Sequence, residues 1–169
     1  IGLIRIISQL NSGQDIAGNT IGTPLNLSIG CALNPTAQNR AMEIERFRRK
    51  IEAGADFVMT QPIYQVSDLT DFLEQFGEQP LPLLVGIMPL HSSKHAEYLH
   101  NEVPGISIPE KVRKAMADAG DAGSQKGLEL AEELLEEVRS ICQGTYLVPS
   151  FGRYDDMAAL IRRLKGKAV

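Results

Sequence analysis

Apolar positions change their spacing repeatedly along the chain, and the changes mark out alternating strands and helices. Gly2 to Leu10 reads as the end of a helix stopped by NSGQD, and Asn19 to Pro24 is loop chemistry. Leu25 to Leu33, LNLSIGCAL, reads as a strand closed by Asn34-Pro35, because proline disfavours helical geometry in the residue before it. From Arg40 to Ala53, Ile44, Phe47 and Ile51 recur at helical spacing, with Gly54 placed as a C-terminal cap. Asp56 to Gln61 is a short apolar run ending in Thr60-Gln61-Pro62. Behind an expected N-cap at Ser67, Leu69, Phe72, Leu73 and Phe76 then form one helical stripe. Leu81 to Met88, LPLLVGIM, has the near-continuous apolar character of a parallel strand. Helices are expected from Ser92 or Ser93 to Glu102 and from Pro109, where proline suits the first turn. A third, long helix carries Leu128, Ala131, Leu135, Val138 and Cys142. Thr145 to Ser150 is the last strand, and Met157, Leu160, Ile161 and Leu164 define the closing helix.

Four strands alternating with helices predict an α/β fold built from βα units. As an open sheet, strands this apolar would leave a sticky edge, which proteins normally cover or close. The expectation is therefore the second half of a (β/α)8 TIM barrel: four parallel strands with helices outside, residues 1–169 forming a single partial domain. In such barrels the chemistry gathers at the C-terminal strand ends, here Asn34, Gln61 to Tyr64, Pro89 to Ser92 and Pro149 to Arg153. The chain starts at Ile1 inside an apolar run, so a piece of a longer polypeptide is expected.

Composition narrows the function classes. The chain has 169 residues, 43% hydrophobic and 22% charged, which is ordinary for one globular core. A net charge of -4 is not the basic footprint of a nucleic-acid binder, and an anionic ligand would have to be held by local cations. No run approaches the roughly 20 apolar residues of a membrane span. Cys31 and Cys142 are far apart and lack metal-type spacing, which favours a reducing compartment and a cytoplasmic location. His91, His95 and His100 have no zinc spacing and read as surface or capping residues, and Cys31 as a buried strand residue; no metal is expected.

Five segments in order carry a resemblance across nearly the whole chain: ALNPTA at Ala32 to Ala37, Glu43 to Pro62 with its KIEAGADFVMTQP, GIMPLHSSK at Gly86 to Lys94, NEVPGISIP at Asn101 to Pro109, and GTYLVPSFGR at Gly144 to Arg153. Together they resemble the reductase domain of methylenetetrahydrofolate reductases, with wording similar to the bacterial bifunctional form that also carries a homocysteine methyltransferase domain. The resemblance implies a flavoenzyme in which NAD(P)H reduces FAD. The reduced flavin then converts 5,10-methylenetetrahydrofolate to 5-methyltetrahydrofolate for methionine synthesis, so that the cofactor carries the redox chemistry.

Site residues follow from the same resemblance. Gln61 matches the family's folate-contacting glutamine, and its amide has donors and an acceptor for a pterin edge; otherwise it is a solvated strand-end residue. Tyr64 could stack beside the ligand or simply pack. Glu43 and Lys50, seven residues apart on one helix face, match FAD-contacting positions, the lysine suiting a pyrophosphate and the carboxylate ribityl or ribose hydroxyls. Without the resemblance they are an ordinary solvated face. Asn34 stands at a flavin-contacting strand end, but NPTAQN lacks the aromatic residue and histidine of the monofunctional pattern, which leaves backbone groups as its contacts. Leu99 aligns with a position that is aromatic in some members, and leucine can pack there but not stack. Arg153 matches an arginine near bound substrate and could pair with the folate glutamate carboxylate, or be a solvated arginine at a helix start.

The resemblance places the family's proton-donating glutamate and flavin-tuning aspartate upstream of Ile1. No catalytic residue is assigned in this chain, and the isolated piece is expected to lack reductase activity. Completion would come from a missing N-terminal half-barrel or from a homo-oligomer. The rival reading is a non-catalytic half-barrel that self-associates as a scaffold or ligand-binding module. A third, an unrelated phosphate-binding barrel, is suggested by AGAD but lacks a glycine-rich loop after the last strand.

Overall fold

The computed structural model describes residues 1–78 and 80–166. A helix, α1 (Gly2–Asn11), leads into a long loop and then into a repeating series. β1 (Gly30–Leu33) is followed by α2 (Arg40–Glu52), β2 (Phe57–Pro62) by α3 (Val66–Phe76), and β3 (Leu83–Ile87) by α4 (Ser93–Glu102), α5 (Glu110–Asp118) and α6 (Gly123–Val138). β4 (Gly144–Leu147) and α7 (Tyr154–Gly166) complete it. The four strands form one sheet in the order β1-β2-β3-β4, every pair parallel. Consecutive parallel neighbours joined by helices are the arrangement of adjacent units in a (β/α)8 barrel.

The two faces of the sheet differ as that arrangement requires. Cys31, Leu33, Val58, Leu83, Val85 and Ile87 point under the helices and join Phe47, Leu69, Phe72, Leu134, Leu135 and Leu160 in the main core. Opposite them, Ala32, Met59, Leu84 and Gly144 stand in register on the face without helices. Large residues on this face lie over glycines of the adjacent strand. A Cβ on Gly30 would come within 2.6 Å of the Phe57 ring, and one on Gly86 within 2.6 Å of the Tyr146 hydroxyl. A second core under α4 and α5 gathers Leu90, Ala96, Leu99, Ile108, Val112 and Met116.

Several boundaries differ from those the pattern predicts. The strand expected over Leu25 to Leu33 is shortened to β1, and Leu25 and Leu27 are 42% and 48% exposed. Their segment is held by the end of α1: the Asn11 amide donates to the Leu27 carbonyl at 2.8 Å and accepts from the Leu27 N–H at 3.0 Å. A side chain thus supplies the pairing that a neighbouring strand would supply. α3 starts two residues earlier than expected, with Gln65 at its N-cap and Ser67 inside the first turn. Pro109 is the N-cap of α5 and precedes its first helical residue. The long helix ends at Val138, leaving Cys142 beyond it with its thiol donating to the Val138 carbonyl. β4 stops at Leu147, because Ser150 to Gly152 fold into a 3-10 turn. No helix of the described residues is long and apolar enough to cross a membrane.

Candidate functional site

Each strand presents polar groups at its C-terminal end, and each end is shaped by a different local device. At the end of β1, α2 leans three of the candidate residues together. The Glu43 carboxylate, 6% exposed, accepts the Asn34 backbone N–H at 3.2 Å and lies 3.6 Å from the Lys50 ammonium. Lys50 donates to the Ala32 carbonyl at 2.6 Å, and Arg46 lies 3.7 Å from the second Glu43 oxygen. The Ile29 carbonyl faces β2, where it accepts from the Asp56 N–H, so by the alternation of backbone groups Ala32 and Asn34 point to the outer edge. Glu43 and Lys50 therefore occupy two outward backbone groups of an edge strand. The Asn34 side chain is used locally, its oxygen accepting from the Thr36 N–H and hydroxyl.

At the end of β2 the pairing with β3 slips between Met59 and Pro62. Proline has no N–H to give the ladder, and the next donor, the Ile63 N–H, reaches the Gly86 carbonyl at 3.2 Å in its place. The Gly86 N–H in turn donates to the Thr60 hydroxyl at 3.0 Å, and the Tyr146 hydroxyl on β4 donates to the Thr60 carbonyl. Thr60 is buried while Gln61 beside it is exposed on the helix-free face, its amide without a hydrogen-bond partner among the described residues. Tyr64 goes the other way. It lines a cavity of about 220 Å³ on the helix side, with Met88, Leu90, Val112, Leu130 and Leu134 among its walls. Its hydroxyl is buried without a partner, and burial pushes its pKa up.

Beyond β3 and β4 an aromatic cluster forms that the sequence reading missed. His91 and His95 have ring centroids 4.3 Å apart, and Phe151 lies against both, tilted to His91 at 4.7 Å and edge-on to His95 at 5.3 Å. Phe151 is 78% exposed and has a φ of 54°, a left-handed conformation unusual for a bulky residue. His95 is not at the surface, as its spacing suggested, but 8% exposed, with Nδ1 unpartnered. Burial, with the neighbouring His91 second, lowers its pKa to about 4. His100 accepts the Ile108 N–H on Nδ1. The i, i+4 spacing of His91 and His95 across the start of α4 was the available signal; Phe151 gave none.

Arg153 is exposed next to this cluster and pairs with Asp156 on the first turn of α7. Leu99, 6% exposed, is packed into the second core. Asn34, Glu43 and Lys50 thus form one group, Gln61 and Arg153 stand at open strand ends, and Tyr64 and Leu99 are turned into the helix layer. The described residues contain no cluster of His, Cys, Asp or Glu with the geometry of a metal site.

Comparisons with known proteins agree with this arrangement. The profile of the methylenetetrahydrofolate reductase family matches residues 3–152. Methylenetetrahydrofolate reductase 2 of Saccharomyces cerevisiae is 28% identical over 105 residues, covering 56% of this chain and 17% of the yeast protein. A solved structure of a Clostridium thermocellum protein, described as binding two copies of 5-methyl-5,6,7,8-tetrahydrofolic acid, superposes with a TM-score of 0.64 at 22% identity. That match covers 82% of this chain and 54% of the other. This chain spans about a sixth of the yeast relative and about half of the structural neighbour. With four consecutive parallel βα units and a family match over most of its length, the chain belongs to the methylenetetrahydrofolate reductase family.

Proposed function

We propose that the chain is the part of a flavin-dependent methylenetetrahydrofolate reductase that forms one wall of the folate site and a share of the flavin site. The carrying observation is Gln61, held exposed and unpartnered at a bulged strand end, where a planar amide can exchange hydrogen bonds with a pterin edge. Bulges next to active sites commonly re-aim one side chain in this way. The structural neighbour's described methyltetrahydrofolate supports a folate ligand at this fold. Arg153, exposed in the loop between β4 and α7, has the guanidinium chemistry to pair with an acidic group of the same ligand.

The group at β1 suits FAD by its chemistry. Lys50 uses its ammonium on the Ala32 carbonyl and on Glu43, leaving a further N–H for a phosphate oxygen, and Glu43 can accept from sugar hydroxyls. When bound, FAD supplies the hydride relay from NAD(P)H to the folate. The chain's own residues orient the ligands: Glu43 and Lys50 fix the cofactor's polar tail, and Gln61 aligns the pterin. The product, 5-methyltetrahydrofolate, would feed methionine synthesis in the cytoplasm. Among the described residues the outer edges of β1 and β4 pair with no further strand, which favours a second reading, a self-associating half-barrel scaffold.

The full-length protein carrying this sequence tests the choice. The reductase reading expects a yellow protein that oxidises NADH or NADPH in the presence of 5,10-methylenetetrahydrofolate. A stable oligomer that takes up no flavin and binds no folate would overturn it in favour of the scaffold.

A further inference from the structure

We propose that Tyr146 is a positioning residue for Gln61: its hydroxyl, together with that of Thr60, locks the bulge that aims the glutamine amide into the ligand space. This rests on the folate reading of the Gln61 end. The argument begins with Pro62. Because Val58 donates its N–H to the Pro82 carbonyl, the regular parallel ladder would next use the N–H groups of Thr60 and Pro62, and the second does not exist. The slip that brings in the Ile63 N–H displaces Thr60, and two backbone groups then need new partners. The Gly86 N–H takes the Thr60 hydroxyl, and the Thr60 carbonyl takes the Tyr146 hydroxyl from one strand further away.

The reach across β3 depends on Gly86. The Tyr146 ring passes over it, and any side chain there would collide with the phenol at 2.6 to 2.7 Å. Thr60, Gly86 and Tyr146 thus form one device on three strands, with Gln61 as the adjacent exposed residue. Without the tyrosine hydroxyl, the Thr60 carbonyl loses its partner, and the peptide joining Thr60 to Gln61 is free to rotate toward the regular ladder. Rotation of that peptide swings the glutamine side chain away from its present direction.

Tyr146→Phe keeps the ring and removes the hydroxyl. In the full-length, flavin-loaded protein, the dissociation constant for 5-methyltetrahydrofolate is expected to rise about tenfold, the scale of one hydrogen bond. In the Gln61→Ala background the same substitution is expected to change it by less than about twofold, because the tyrosine acts only through the glutamine. Equal losses in both backgrounds, or none in either, would overturn the proposal. Thr60→Val should reproduce the loss and Thr60→Ser should not, which keeps the test available if Tyr146→Phe fails to fold. If the unmodified protein binds no folate, the functional reading falls by itself. The lock is then judged by hydrogen exchange at the Gly86 and Ile63 amides: faster exchange in Tyr146→Phe upholds it, and unchanged exchange rejects it.

Discussion

Gln61 and His95 sit near adjacent strand ends, and each carries an unpartnered polar group, one exposed to solvent and the other buried. The exposed amide is free for a ligand, and Gln61→Ala is expected to weaken folate binding about tenfold with little change in melting temperature. Fluorescence titration and a thermal melt measure the two quantities. The buried imidazole has the opposite consequence. Its pKa falls from the ordinary value near 6.5 to about 4, so the fold holds the neutral ring. Between those values the unfolded chain takes up a proton that the folded chain refuses; stability is complete above about pH 6.5 and is lost as pH falls toward 4. His91, lowered chiefly by burial and next by Arg153, with Asp156 opposing, adds to the loss. Urea unfolding at pH 7.5, 5.5 and 4.5 should show a shallower decline in His95→Leu than in the parent.

Among the elements, α6 makes the tightest approach. A Cβ on Gly127 would lie 1.7 Å from the Leu90 carbonyl oxygen, so the helix rests directly on the loop after β3. Gly127→Ala would gain helix propensity in isolation, yet here it is expected to destabilise by about 3 kcal/mol, because backbone must move to admit the methyl group. Chemical denaturation of the purified variant gives the value. α2 offers a second prediction. Glu43→Ala leaves the Asn34 N–H without its acceptor and the Lys50 ammonium without its counter-ion, and should lower stability by about 1 to 3 kcal/mol. α2, α3 and β3 were legible in the sequence because period and burial agree there. The first half of the expected β1 was misread, because LNLS alternates like a strand while its partner is an Asn11 side chain 16 positions away. The bulge at Gln61 was hidden for a similar reason: its lock comes from Tyr146, 86 positions along the chain from Thr60. Gln61 itself was visible as a strand-end polar residue, whereas the inward turn of Tyr64 depends on packing that no local pattern encodes.

For the whole molecule, the controlling fact is a sheet of four strands whose outer edges are unpaired among the described residues. One face carries helices, and the other exposes Gln61 and Ala32 beside the half-buried Phe57, Met59 and Leu84. The 169-residue chain supplied with FAD is therefore expected to give no NAD(P)H oxidation above the flavin blank and to associate with itself. Absorbance at 340 nm and light scattering report the two outcomes, and turnover by this chain alone would contradict the expectation. The half-barrel was legible because consecutive apolar strands separated by helices leave few other ways to bury their faces.

The ion pair on the edge of β1 makes that edge an interlock. A strand arriving there must bond the Ala32 carbonyl and the Asn34 N–H, the two groups that Lys50 and Glu43 now occupy. Docking of the strand and release of the two side chains become one event. The groups proposed to hold the flavin's polar tail would gain free donors and acceptors as the barrel wall is completed, so cofactor capture would strengthen on closure.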